Sequence, residues 1–280
     1  MIRYLRTWAI VFAVSAGVVG CTDDDDDDAR LVRPDFPLGD GKAYPVENVF
    51  FNTEDGVSVG AVFGQVPGQS RQPAVILVHD IGSSGAEWLF SDFFQRLLES
   101  DFQLLAIDLR GHGSTPLPND GRPAAVLTIE DLGDMHLEVR AALTWLRTQP
   151  TVDIGRVAVV GNGVGGNVAY VSMGAFPSEL RAGVALSPGL WAQPGLEPLL
   201  VGDGLDPFAP HTMLYLVGAD DALPGPDNQS LSYAAFANGL ASLTSDPKSL
   251  TIYQTQAHGL NLLQSQQAVD TILSWLETHL

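Results

Sequence analysis

From Val46 onward, short apolar runs alternate with longer segments whose apolar positions recur at helical spacing. "VENVFFNTEDGVSVGAVFG" alternates apolar and polar residues around Asp55-Gly56, which predicts a hairpin. "AVILVHD" (74–80), "FQLLAID", "RVAVVG", "LRAGVALS" and "TMLYLVG" are nearly continuous apolar runs, as expected of strands buried on both faces. "KSLTIYQT" reads as a last strand. The intervening segments "AEWLFSDFFQRLLES", "TIEDLGDMHLEVRAALTWLRTQP", "GGNVAYVSMGAF", "QSLSYAAFANGLASL" and "SQQAVDTILSWLETHL" read as helices. Thr128 is a candidate N-cap and Pro150 a stop. Buried strands alternating with helices imply an α/β fold, with a mostly parallel sheet covered on both faces and the opening hairpin at one edge. "GLWAQPGLEPLLVGDGLDPFAP" is rich in Gly and Pro and reads as irregular.

The pattern is different before residue 44. "MIRYLR" is basic, and "WAIVFAVSAGVV" is apolar over twelve residues. Such a helix spans about 18 Å, short of the roughly 30 Å of a bilayer core. "VVGC" follows and ends at Cys21, the one cysteine of the chain. Small residues before a cysteine after an apolar run resemble a bacterial lipobox, which implies cleavage before Cys21 and lipidation of its thiol. "TDDDDDDARLVRPDFPLGDGK" is acidic, self-repelling and poor in buriable side chains, as expected of a solvated spacer. The expected organisation is a signal peptide over 1–20, a spacer over 21–43 and one folded domain over 44–280. The expected location is the bacterial cell envelope, with the membrane as partner through lipidated Cys21.

Composition narrows the remaining choices. The chain has 280 residues, 45% of them hydrophobic, enough for one sizeable core. Its formal charge of −19 repels phosphate backbones and argues against a nucleic-acid partner. One cysteine excludes an intrachain disulfide. The six histidines are scattered without zinc-like spacing, so neither a metal nor a cofactor is expected.

The glycine-rich turns carry the chemistry. "LVHDIGSSG", "DLRGHGST", "GNGVGG", "GADDALP" and "QAHGLNLL" occur in that order. Together they resemble the α/β-hydrolase superfamily, with a pattern similar to dienelactone-hydrolase and serine-aminopeptidase relatives. The resemblance implies the α/β-hydrolase fold with a small or absent cap. It also implies the family order of nucleophile, acid and histidine. His258 takes the general-base position. Asp221 takes the acid position, with Asp220 the alternative one residue earlier. The backbone N–H groups of Ile81 and Val164 would form the oxyanion hole. Asp80 stands where the pattern has glycine, and Gly163 stands where it has the nucleophilic serine. His79, His112 and Asp108 are expected to be hydrogen-bonded scaffold, and Trp88, Trp191 and Phe208 to be packing unless they line a pocket.

Glycine has no hydroxyl for His258 to deprotonate, so no acyl-enzyme can form at position 163. Losing a nucleophile costs about 10⁶ in kcat in a characterised serine protease. The expected protein is inactive or severely impaired as a serine hydrolase and binds a small ligand or a partner protein. The alternatives are a hydrolase using His258-activated water or a substitute serine (Ser83, Ser84, Ser114 or Ser187), and a plain envelope scaffold without a pocket. Restoring the hydroxyl with Gly163→Ser is expected to give measurable esterase activity if the other groups are aligned, at a stability cost of about 1 kcal/mol.

Overall fold

A computed structural model describes residues 36–37, 43–68, 70–118, 127–189, 191, 196–200, 210–224 and 230–280. The signal-peptide and lipidation expectations, including Cys21, lie outside the described residues, as does Phe208.

Eight strands form one sheet: β1 (Val46–Asn52), β2 (Ser58–Gly64), β3 (Gln72–Val78), β4 (Gln103–Ile107), β5 (Val152–Asn162), β6 (Ala182–Leu186), β7 (His211–Gly218) and β8 (Ser245–Tyr253). Their spatial order is β8-β7-β6-β5-β3-β4-β2-β1. The β1–β2 and β2–β4 pairings are antiparallel; all others are parallel. The antiparallel hairpin therefore lies at one edge, as the alternating pattern around Asp55-Gly56 predicts.

The apolar strand runs follow from cover on both sides. Along β3, Ala74, Ile76 and Val78 belong to one core, while Val75 and Leu77 belong to the other. The first core includes α4 (His136–Leu146) through Val139 and Leu143, and α5 (Val164–Ala175) through Val168 and Val171. The second includes α2 (Asp92–Glu99) through Phe94 and Leu97, and α7 (Gln266–His279) through Ile272 and Leu276. Helix α6 (Tyr233–Leu243) adds Leu240 to the first. Trp88 and Trp191 are both buried as packing.

Two expected helices are broken. The first divides into α1 (Ala86–Leu89) and α2. Ser91 adopts extended backbone between them and accepts a hydrogen bond from Phe94 N, so it restarts the chain as an N-cap. The second divides into α3 (Ile129–Asp134) and α4, with Met135 between. Thr128 is the N-cap of α3, and its partner in a reciprocal capping box is Asp131. A short ribbon, Ala222–Pro224 paired with Ser230–Ser232, gave no strand signal in the sequence. Between β6 and β7, the described part of the irregular segment includes a 3₁₀ turn over Glu197–Leu200.

Candidate active site

Parallel strands deliver their following loops to one edge of the sheet, where open α/β sheets bind ligands. That edge gathers Asp80 after β3, Gly163 after β5, Ser187 after β6, Asp221 after β7 and His258 after β8. Register sets the closest approach. Val78 pairs with Gly161 across β3 and β5, so the chain two residues on brings Asp80 beside Gly163.

Gly163 turns from strand to helix with φ 54° and ψ −114°, a conformation that favours glycine. Its N–H donates to Leu186 O at 2.9 Å, and the turn launches α5. The flanking glycines answer to close packing. A Cβ on Gly161 would lie 1.9 Å from Gly165 O, and one on Gly165 would lie 2.3 Å from Val78 O. The turn thus has the geometry of a nucleophile elbow with no side chain at its tip.

The space at that tip is filled from the neighbouring loop. A Cβ on Gly163 would lie 2.2 Å from both Cγ and Oδ1 of Asp80 and 2.5 Å from its Oδ2. Asp80 Oδ1 accepts hydrogen bonds from Ile81 N at 2.8 Å and Val164 N at 2.7 Å. These are the two N–H groups that the resemblance places in the oxyanion hole. Both converge on the carboxylate of Asp80. The backbone of Asp80 is held separately: its N–H donates to Glu87 Oε1 at 3.2 Å, and its carbonyl accepts from His79 Nδ1–H at 2.6 Å.

Asp221 is buried and lies 3.0 Å through each carboxylate oxygen from His258 Nδ1. Asp220 is exposed, so the acid facing the histidine is Asp221. Nε2 of His258 lies 3.6 Å from Asp80 Oδ2. Burial pulls the imidazole pKa down, but the hydrogen bond to Asp221 and the nearby carboxylate of Asp80, with their charges, outweigh it and raise the value to about 9. His258 is therefore an imidazolium at neutral pH. The Tyr233 ring covers one side, its centroid 4.5 Å from that of His258.

The sequence singled out Ser187 only as a substitute nucleophile; the structure gives it another place. Its hydroxyl donates to Asp221 Oδ2 at 2.6 Å and accepts from Gly259 N at 2.9 Å. Both capacities bind the acid and histidine loops together, so the hydroxyl is committed away from Nε2. Ser114 is similarly engaged, donating to Asp108 Oδ2 at 2.9 Å.

The scaffold expectations match the contacts. His79 Nε2 accepts from Leu109 N at 2.9 Å, and burial lowers its pKa to about 4, so the ring is neutral. His112 Nε2 accepts from Gly82 N at 3.0 Å. Asp108 Oδ1 accepts from Gly85 N at 2.7 Å, and its Oδ2 ties the turn at Ser114. Glu87, which the sequence reading passed over, also accepts from Asn162 Nδ2 at 2.9 Å, and burial raises its pKa despite that bond. Among the described residues, no group of three His, Cys, Asp or Glu side chains is placed to hold a metal ion.

A mostly parallel eight-stranded sheet, a glycine elbow, converging N–H donors and an acid–histidine pair define the α/β-hydrolase class. The model of the Alpha/beta hydrolase family matches residues 75–278, and the chain belongs to that family. The esterase Pf2001 of Pyrococcus furiosus superposes with a TM-score of 0.63 at 18% identity, over 84% of this chain and 93% of that one. The alpha/beta hydrolase GrgF from Penicillium sp. sh18 gives 0.62 at 17% identity, over 84% and 99%. Acetyl xylan esterase 1 from Thermoanaerobacterium sp. JW/SL YS485 gives 0.62 at 16% identity, over 83% of each chain. At such identities the likeness is one of fold.

Proposed function

We propose that this chain is a lipid-anchored α/β-hydrolase-fold protein of the bacterial envelope that does not perform serine acyl transfer and uses its former active site to bind a ligand. The observation that carries the reading is Asp80. Its carboxylate takes both N–H donors that a tetrahedral oxyanion needs, and it fills the volume of the missing serine side chain. The imidazolium state of His258 supports the same reading, because a protonated Nε2 has no lone pair to accept a proton. These contacts also weigh against water activated by His258, since Asp80 occupies the room that Gly163 leaves.

The test is labelling of purified protein with a fluorophosphonate probe, beside turnover of p-nitrophenyl esters. No serine adduct and no turnover sensitive to His258→Ala are expected. Stoichiometric labelling of any serine overturns the reading. The anchor is tested by incorporation of radiolabelled palmitate, which is expected to be lost in Cys21→Ala; palmitate retained in that variant rejects the anchor site. No helix of the described residues is long and apolar enough to cross a membrane.

A further inference from the structure

We propose that the emptied elbow is a receptor for a carboxylate, and that Asp80 is its internal occupant, displaced when a small carboxylate-bearing molecule binds. The proposal rests on the binding role proposed above and names the ligand class.

Two N–H donors and one imidazole, from three separate segments, converge on one carboxylate. Ile81 N and Val164 N reach one oxygen at 2.8 and 2.7 Å, and His258 Nε2 faces the other at 3.6 Å. The cradle thus supplies two neutral donors for one oxygen and a cation for its partner, which suits a planar anion with two oxygens. Volume adds an independent constraint. Any side chain at position 163 would begin 2.2 Å from the bound oxygen, a separation no real Cβ contact shows. Glycine at this position is therefore what admits the carboxylate in the place it occupies. A nucleophile and this occupant are mutually exclusive, and the chain has the residue that permits the occupant. Charge points the same way: Asp221 lies behind the imidazolium, and a second anion in front completes its pairing.

The occupant is also able to leave. Side-chain exposure of Asp80 is 26%. Its backbone is held by Glu87 and His79 rather than by the cradle. Rotation about its side-chain torsions therefore releases the carboxylate into solvent without moving the loop. An external carboxylate competes with a tethered one, whose effective concentration is on the order of millimolar or higher. Apparent affinity in the intact protein is reduced by that competition, and removing Asp80 restores the intrinsic value.

The experiment is a thermal-denaturation titration of the purified full chain with sodium formate and sodium acetate, against sodium chloride and sodium phosphate at equal ionic strength. Wild type, Asp80→Ala and Asp80→Ala/Gly163→Ala are compared. The expected result is a saturable rise in Tm for Asp80→Ala with formate or acetate, at a concentration at least tenfold below that needed by wild type. It is absent with chloride and lost when the added Cβ of Gly163→Ala fills the cradle. A folded Asp80→Ala variant with no saturable carboxylate effect overturns the proposal. So does an effect that survives Gly163→Ala, or one that phosphate matches, because either describes unspecific anion binding. Should Asp80→Ala not fold, the wild-type His258 imidazole signals are followed by NMR at high formate. A saturating shift supports the proposal, and its absence rejects it. Fluorophosphonate labelling is read separately, so failure of the silent-hydrolase reading is not confused with failure of carboxylate binding.

Discussion

The two halves of the site are built differently. On one side, Asp221, Ser187, His258 and Gly259 form a closed set of hydrogen bonds between the loops after β6, β7 and β8. In the proposed reading this is the acid–base half of a hydrolase, with its acid–histidine contact kept. On the other side, between β3 and β5, Gly163 leaves the tip of the turn without a side chain, and the Asp80 carboxylate accepts from Ile81 N and Val164 N. The intact half is built from contacts that also hold three loops together, so losing it would cost structure as well as chemistry. The altered half depends on two positions, Asp80 and Gly163, that compensate each other locally. An acid–histidine pair is therefore weak grounds for inferring catalysis, because it can persist as a structural link.

The largest expected effect probes the intact half. Asp221→Ala removes a buried carboxylate that holds both His258 and the Ser187 hydroxyl. Breaking a buried charged pair in this way is expected to cost about 3 kcal/mol. Chemical unfolding measures it, and a loss below about 1 kcal/mol would show that the pair does not link the loops. His258 should also titrate well below 9 in this variant, since its main stabilising partner is gone.

Next comes the altered half. The sequence alone suggests Gly163→Ser as a rescue costing about 1 kcal/mol. The structure changes that expectation, because the new Cβ would begin 2.2 Å from Asp80. The single substitution is now expected to cost about 2 kcal/mol, because it forces the Asp80 carboxylate off Ile81 N and Val164 N and adds positive-φ strain. Asp80→Gly/Gly163→Ser removes the clash and frees both N–H groups. A double-mutant cycle on unfolding free energy should show coupling of about 1 kcal/mol or more between the positions. Fluorophosphonate labelling should be stronger in the double variant than in Gly163→Ser alone, because no displaced carboxylate remains beside the site. Additive energies would mean that the two positions do not share the same space.

A third effect joins the halves through pH. The His258 pKa in the folded protein is about 9, above its usual 6.5, because Asp221 and Asp80 outweigh the opposing effect of burial. A raised folded pKa gives stability that is fully present below 6.5 and is lost as pH rises through 9. With the His258 side chain 33% exposed, solvent screening limits this to about 1–2 kcal/mol. Urea unfolding between pH 6 and 10 should show the decline, and Asp80→Ala should move it to lower pH. A flat profile would place His258 outside this charge network. His79 contributes in the opposite direction: burial lowers its pKa to about 4, so its contribution is present above 6.5 and is lost as pH falls through 4.

Much of this fold was legible in the sequence for a simple reason. Strands such as Ala74–Val78 are covered on both faces, so their apolar runs are continuous and hard to mistake. The order of the glycine turns along the chain likewise placed Gly163, Asp221 and His258 at one sheet edge. The helix breaks at Ser91 and Met135 were not legible, because apolar spacing continues through them while the capping geometry changes. The role of Asp80 was visible only as a departure from glycine. Its meaning depends on a pairing between strands far apart in sequence, Val78 with Gly161, which no local pattern encodes. The contacts of Ser187 were illegible for the same reason, since both of its partners come from distant loops.

The smallest effect tests whether the intact half can loosen without becoming catalytic. Ser187→Ala removes the donor to Asp221 Oδ2 and leaves Gly259 N without its side-chain acceptor. Two hydrogen bonds of the buried link are lost, so the cost should be about 1–2 kcal/mol, from a net value of about 0.5–1 kcal/mol for each. Asp221 retains both of its contacts with His258, and with one competing donor gone its negative charge is less engaged elsewhere. The imidazole should therefore stay protonated at neutral pH, which proton-detected NMR of the ring can follow. The variant should remain unreactive towards fluorophosphonate, because the hydroxyl removed is engaged with Asp221 and Gly259. If Ser187→Ala instead abolished an otherwise measurable esterase activity, the serine would have been acting on substrate, and the division of the site into a structural and a binding half would fail.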